Sequence, residues 1–134
     1  MNGAAQTGNA SAVMPGAFRL DSSKYKAVFA EKASVYGQTL VMWVARLPDA
    51  GRRAGVVVSK KTFRRAVDRN RAKRLMREAF RLSRRWVAPD VGVVLVARRG
   101  IAGKTCQDVL RDFERVCRRA KVWREQGGEG GASE

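Results

Sequence analysis

The sequence predicts an α+β fold of the two-layer sandwich class, with helices on one face of a mainly antiparallel sheet. Residues 38–47 and 54–59 are rich in Val, Leu and Trp, and 91–97 are continuously apolar. Segments 60–85 and 105–124 carry apolar residues at helical spacing. With a short N-terminal helix added, the predicted order is helix, two or three strands, helix, strand and helix.

The length of 134 residues suits one domain that buries a core without disulfides or metal ions. We expect this domain at 18–124. Residues 1–17 are rich in Gly, Ala, Asn and Ser, and 125–134 are rich in Gly. Both ends therefore predict disordered segments, an N-terminal extension and a C-terminal tail.

The first helix is predicted from capping residues and from three apolar side chains on one face. Asp21, Ser22 and Ser23 offer N-cap oxygens for a helix that runs to about residue 31. Tyr25, Val28 and Phe29 share a face of that helix. The two rings either pack on the core or contact a ligand, and the residues alone favour neither.

The next two strands are predicted to form an antiparallel hairpin, because 48–51 (PDAG) have turn chemistry. Trp43 suits the core by its size, and it also suits base stacking beside a basic cleft. A short strand around Val35 is a further candidate. The run 91–97 indicates a fully buried strand near the centre of the sheet.

The segment between these strands, residues 60–85, combines charge with a helical period. It holds twelve Lys or Arg against two acids, a net charge of +10 out of the chain's +16. One face is apolar and comprises Ala72, Leu75, Met76, Ala79 and Phe80. The opposite face comprises Asn70, Lys73, Arg74, Arg77 and Arg81. Such a row of donors is suited to a polyanion.

The last helix is predicted from Thr105 to about Arg124. Thr105 and Asp108 match a capping box with a shorter acid. The apolar stripe comprises Cys106, Val109, Leu110, Phe113, Val116, Cys117, Ala120 and Trp123. The two cysteines lie eleven residues apart, about 16 Å along a helix, so we interpret them as buried structural thiols that do not bridge each other.

The net charge of +16 predicts strong, salt-dependent attraction to nucleic acid or to an anionic membrane. The chain has no histidine, which excludes His-based catalysis and His-containing zinc sites. Its longest apolar run, 91–97, is far shorter than the ~20 residues that span a bilayer. No signal peptide is visible, so we expect a cytoplasmic protein without a membrane partner. DNA is not expected as a partner, because no helix-turn-helix pair precedes the basic segment.

The few acids argue against a nuclease that works through its own side chains. Asp108, Asp112 and Glu114 are interpreted as a solvated helix face that pairs with Arg111 and Arg115. We therefore expect no catalytic residues and no metal site made by this chain alone.

Four motifs in order carry a family resemblance. They are GVVVSKK at 55–61, Arg64-Arg65-Ala66, the run RNRAKRLMREAFR at 69–81, and the strand 93–99 with its basic end. Over roughly 18–122 the sequence resembles the protein subunit of bacterial ribonuclease P. It departs from one common form of the family at 62–65, where Thr-Phe-Arg-Arg replaces a short Gly-Asn link.

The resemblance implies an αβββαβα sandwich with a four-stranded sheet and a left-handed crossover, a fold shared with ribosomal components. It implies a subunit of an endoribonuclease, whose catalytic RNA removes the 5′ leader of precursor tRNA with Mg²⁺ held mainly by the RNA. The partners are then the catalytic RNA and precursor tRNA. The alternative is a ribosomal-type or general structured-RNA-binding protein without a role in cleavage.

The resemblance also assigns two sets of site residues. Those expected against the catalytic RNA are Lys60, Lys61, Arg64, Arg65, Arg69, Asn70, Arg71, Lys73, Arg74, Arg77 and Arg81. Those expected in a leader-binding cleft between the first helix and the sheet are Phe18, Tyr25, Phe29 and Trp43.

Overall fold

In the computed structural model, which describes residues 18–47 and 51–124, one four-stranded sheet is packed against three helices. The elements are α1 (Tyr25–Ala30), β1 (Ser34–Tyr36), β2 (Leu40–Arg46), β3 (Arg53–Val57), α2 (Ala66–Ser83), β4 (Val91–Ala97) and α3 (Cys106–Arg119). This order confirms the expected αβββαβα arrangement and the α+β class. The predicted disordered segments at 1–17 and 125–134 lie outside the described residues, as do turn residues 48–50.

The order of strands across the sheet is β1-β2-β4-β3. β2 pairs with β1 and with β4 in antiparallel fashion, whereas β3 pairs with β4 in parallel. The predicted hairpin between the second and third strands was therefore wrong. β4 lies between them with almost all its side chains buried, because a core packs on each face of the sheet at this central strand.

The connection from β3 through α2 to β4 joins two adjacent parallel strands. Such crossovers are right-handed in the great majority of proteins. The left-handed connection implied by the family resemblance stays a prediction.

The two faces of the sheet bury different helices. Leu40 and Met42 of β2 and Val93 and Leu95 of β4 belong to the large core beneath α2 and α3. Val94, on the other face of β4, packs with the residues of α1 in a smaller core. The expectation that all helices share one face was thus wrong for α1.

The helical layer is joined to the sheet by the apolar stripes that the sequence predicted. Phe80 of α2 meets Phe113 of α3 edge to face at 6.1 Å between ring centroids, and both side chains are fully buried. Cys117 is buried, its thiol lies 3.8 Å from the sulfur of Met42, and burial raises its pKa. Cys106 is only half-buried at the start of α3, so the prediction that both thiols are buried was wrong for Cys106.

The end of α3 comes earlier than predicted, at residue 119. Lys121 adopts φ 62°, and the amide of Val122 donates to the carbonyl of Cys117, which is the pattern of a Schellman cap. The chain then turns to pair with the segment after α2, where the Trp86 and Trp123 rings stack at 6.0 Å. The predicted capping box of Thr105 and Asp108 is confirmed.

Asp112 is the one predicted solvated acid that the structure buries, with 3% of its side chain exposed. Its carboxylate accepts hydrogen bonds from the amides of Gln38 and Thr39 and from the Thr39 hydroxyl. A Cβ at Gly37 would collide with this carboxylate. The predicted pairing of these acids with Arg111 and Arg115 is confirmed, as the ion pairs Asp108–Arg111 and Asp112–Arg115.

Candidate nucleic-acid interface

The side of α2 that faces away from the core carries the predicted row of polar donors. We call Asn70, Lys73, Arg74, Arg77 and Arg81 the basic face of α2. Asn70 and Arg74 are exposed, and the other three are half-buried. From Asn70 to Arg81 the row rises about 16 Å along the helix, which matches several phosphates of an RNA backbone.

The contribution of Arg81 to this face is reduced by an acid on the same helix. Its Nε and Nη2 atoms donate to the two carboxylate oxygens of Glu78 at 3.1 and 2.7 Å. The hydrogen bonds to Glu78 raise the pKa of Arg81. In the described part of the chain, Arg74 has no such ion pair, so it presents its full charge to solvent.

Arg69 shapes the entrance to the helix. Its Nη1 atom donates to the carbonyl oxygens of Phe63 and Arg64, at 3.0 and 2.7 Å. Arg71 points to the other side of α2, where its Nη2 atom donates to the carbonyl of Lys104 at 2.6 Å. Both guanidinium groups therefore hold loops in place, a role that the sequence pattern did not indicate.

The loop before α2 presents Lys60, Lys61, Arg64 and Arg65, and all four are exposed. The loop is ordered by a tight turn in which the amide of Thr62 donates to the hydroxyl and carbonyl oxygens of Ser59, each at 3.1 Å. The loop thus fixes four cations beside the N-terminus of α2, where the helix dipole adds to the positive potential.

The smaller core contains three of the four predicted leader-binding aromatics. Phe29 and Trp43 meet edge to face at 5.2 Å, and both belong to the cluster that includes Tyr25. The Tyr25 ring covers Gly55, where a Cβ would overlap it. Each of the three rings is half-buried, so part of each remains open to solvent on this face of the sheet.

Phe18 stands apart from this aromatic cluster. It packs against the large core, and the Arg84 guanidinium lies 3.8 Å from the centre of its ring. The structure therefore brings together Tyr25, Phe29 and Trp43 and does not bring Phe18 to them. Arg84 also donates to the carbonyls of Arg52 and Gly51, which secures this cation in place.

Arg77 is one of the half-buried members of the basic face of α2. Burial lowers the pKa of Arg77, and the positive charge of Arg19 lowers it further. Tyr25 raises the pKa and offsets part of this effect. Arg19 reaches this position because the residues before α1 pair with the outer edge of β3, with the Leu20 amide donating to the Ala54 carbonyl at 2.9 Å. Sequence reasoning missed Arg19, although its place directly after Phe18 marked it as a cation near an aromatic.

No group of three or more potential metal ligands from Cys, Asp and Glu occurs among residues 18–47 and 51–124. Over the same residues, none of the helices is long and apolar enough to cross a bilayer.

The comparison with protein families now decides the identity of this basic αβββαβα protein. The model of the Ribonuclease P family matches residues 14–121. The chain belongs to the ribonuclease P protein family. The family resemblance drawn from the motif at 69–81 is thereby confirmed.

Curated relatives support the same assignment along most of their length. The ribonuclease P protein component of an Exiguobacterium species is 40% identical over 111 residues, which span 82% of this chain and 96% of the relative. The ribonuclease P protein component of Chromohalobacter salexigens is 46% identical over 84 residues, 61% of this chain and 64% of the relative.

Solved structures agree with the fold. The ribonuclease P protein of Staphylococcus aureus superposes with a TM-score of 0.67 at 25% identity, covering 79% of this chain and 97% of that one. The protein from Thermotoga maritima gives a TM-score of 0.66 at 23% identity, over 75% and 96% of the two chains. The chain is thus a protein subunit of bacterial-type ribonuclease P, the endoribonuclease of tRNA processing.

Proposed function

We propose that the basic face of α2 and the loop before it bind the catalytic RNA in the cytoplasm, and that the aromatic cluster binds the 5′ leader of precursor tRNA. The observation that carries this proposal is the separation of the two surfaces. The cations project from α2 in the helical layer, and the rings lie with α1 on the opposite face of the sheet.

The chemistry of each surface suits the RNA assigned to it. Arg grips phosphates through paired donors, Lys supplies a point charge, and the amide of Asn70 both donates to and accepts from a 2′-hydroxyl or base edge. Half-buried rings stack on unpaired bases irrespective of sequence, which suits a single-stranded leader.

In this proposal the chain supplies fixed cations and the RNA supplies the reaction centre. Mg²⁺ is held mainly by the RNA, where it provides the charge stabilisation that phosphodiester cleavage needs. The residues of the basic face neutralise phosphates during assembly. This lowers the Mg²⁺ concentration at which the RNA folds around its substrate.

The decisive experiment is reconstitution of the full chain with a bacterial ribonuclease P RNA at low Mg²⁺. We expect stimulated cleavage of precursor tRNA at the mature 5′ end. If the protein binds the RNA without stimulating cleavage, the chain is a general RNA-binding protein and the assignment of the two surfaces is wrong.

Single substitutions separate the two surfaces. Arg74→Ala is expected to weaken binding of the catalytic RNA and to reduce the salt slope by about one. Phe29→Ala is expected mainly to weaken the binding of substrates that carry a leader. Phe29→Leu keeps most of the apolar volume but removes the ring, so it tests whether the ring itself is needed. Arg111→Ala removes an exposed cation on α3 and serves as the matched control. Equal losses from Arg74→Ala and Phe29→Ala for both RNAs would contradict two separate sites.

A further inference from the structure

A pocket of about 350 Å³ opens between the C-terminal ends of α2 and α3. Its lining includes the indole rings of Trp86 and Trp123, the apolar side chains of Leu82 and Leu110, and the charged groups of Glu114 and Arg118. The pocket belongs to the helical layer, and it is separated by the sheet from the aromatic cluster of α1.

The two indole rings are held in place by backbone pairing. The amide of Arg124 donates to the carbonyl of Trp86, and the amide of Ala88 donates to the carbonyl of Val122, at 2.6 and 2.8 Å. The ring planes are within 9° of parallel, with centroids 6.0 Å apart. A stacking surface that is already ordered in the free protein loses little conformational entropy when a flat ligand binds.

Cations lie over both rings. The guanidinium carbon of Arg85 is 4.5 Å from the centre of the Trp86 ring, and that of Arg118 is 5.5 Å from the centre of the Trp123 ring. Arg118 is oriented by Glu114, whose Oε2 atom accepts from its Nε and Nη2 atoms, both at 2.8 Å. The ion pair with Glu114 reduces the charge that Arg118 offers, so the site combines aromatic faces with Arg85 as its main cation for a phosphate and with a carboxylate that accepts from a base edge.

We propose that this pocket binds one unpaired nucleobase of RNA, stacked on the Trp86 and Trp123 pair, with the adjoining phosphate near Arg85. The proposal rests on the RNA-binding function proposed above and adds a contact outside both surfaces assigned there. The volume lies in the range of pockets that bury small flat ligands, and the chain's net charge of +16 favours a polyanion.

A protein partner fits the pocket less well. Of the large apolar side chains that are exposed in the described residues, only Leu82 lines it, at 42% exposure. Docking of a helix or of a second copy of the chain requires a broad apolar patch. Here the apolar surface is confined to a slot, and charged side chains adjoin it.

The test uses tryptophan fluorescence of the full chain in a Trp43→Phe background, where only Trp86 and Trp123 emit. Two probes of about six nucleotides are compared at the same salt concentration, an oligoadenylate RNA and an abasic chain of equal length and charge. The oligoadenylate is expected to quench the emission saturably and the abasic chain is not. Trp86→Phe should raise the dissociation constant for the oligoadenylate roughly 5-fold, which corresponds to the lower end of the free energies for stacking one base on an aromatic side chain.

The location is checked by photo-crosslinking of a 5-iodouridine-containing oligonucleotide and mass spectrometry. Cross-links at Trp86 or Trp123 support the site, and Arg111→Ala should leave both readouts unchanged. Equal quenching by the two probes, or none by either, overturns the inference. A change of emission with protein concentration alone, with a doubled mass in ultracentrifugation, also overturns it in favour of a self-association surface.

The same protein is titrated with the catalytic RNA in parallel. If the catalytic RNA binds and the oligoadenylate does not quench, the pocket inference fails while the proposed function stands. If the catalytic RNA itself does not bind, the proposed function fails.

Discussion

Removing the carboxylate of Asp112 is expected to cost the protein about 2–4 kcal/mol of its free energy of unfolding. The change Asp112→Ala leaves three donors without their acceptor, namely the amides of Gln38 and Thr39 and the Thr39 hydroxyl, at 3.1, 2.7 and 2.6 Å. Each unmet buried donor costs about 1–3 kcal/mol, and water that enters the vacated space offsets part of the sum. Domains of this size have about 5–15 kcal/mol in total, so the loss is large.

Two variants separate the buried hydrogen bonds from the ion pair on the same carboxylate. Arg115→Ala removes only a partner whose side chain is 52% exposed, so we expect a loss of about 0–1 kcal/mol. Asp112→Asn keeps one oxygen but turns an NH₂ group towards a donor, with an expected loss of about 1–2 kcal/mol.

The measurement is urea unfolding followed by tryptophan emission, with the slope of the transition compared between variants. A loss below about 1 kcal/mol for Asp112→Ala, or one equal to that of Arg115→Ala, would refute the reasoning, because the carboxylate would then act only as a surface ion-pair partner.

Three further predictions concern the RNA surfaces and the last helix. Arg81→Ala is expected to reduce the affinity for the catalytic RNA less than Arg74→Ala, because a glutamate already neutralises Arg81; filter binding at several salt concentrations measures both. Gly55→Ala is expected to displace the Tyr25 ring, and so to weaken the binding of leader-bearing substrates more than that of leaderless ones. The ratio of the two dissociation constants measures this effect. The capping-box hydrogen bonds lower the pKa of Asp108 below its unfolded-state value of 3.8. The stability that the ionised Asp108 contributes is therefore complete above pH 3.8 and is lost as the pH falls through the lower folded-state pKa. The urea midpoints of wild type and Asp108→Ala should converge at that low pH.

Local signals in the sequence were enough to predict the helices. The apolar period of α2 placed Ala72, Met76 and Phe80 in the core, and all three are buried. Thr105 caps α3 as predicted, whereas Asp21 caps a short 3-10 turn at Ser22–Lys24 that leads into α1, and α1 itself has no side-chain cap.

Local signals could not predict which strands pair with each other. The pairing depends on which strand carries apolar side chains on both faces of the sheet. The turn chemistry after β2 indicated a hairpin, yet burying β4 between its two neighbours covers more apolar surface. Asp112 was misjudged for a related reason, since the amides that it satisfies lie more than 70 positions earlier in the chain.

The residues of the basic face of α2 were predictable as a set of polar side chains on one side of the helix, but the contacts of the individual cations in and around α2 were not. Charge and helical spacing selected the basic face of α2. They gave no indication that Arg69 and Arg71 donate to backbone carbonyls, because those acceptors belong to loops whose paths depend on the tertiary fold. Contact of these residues with RNA stays a prediction.

The central place of β4 has a consequence for how the protein is made. During synthesis on the ribosome, β2 and β3 leave the exit tunnel before β4, the strand that separates them in the finished sheet. The cationic α2 segment leaves the tunnel after β3 and before β4. Until residue 97 has been synthesised, neither strand has its main hydrogen-bonding neighbour. Completion of the sheet therefore waits for non-local pairing, which is slow compared with helix formation. The nascent chain therefore carries its cationic α2 segment before its four-stranded sheet can be completed.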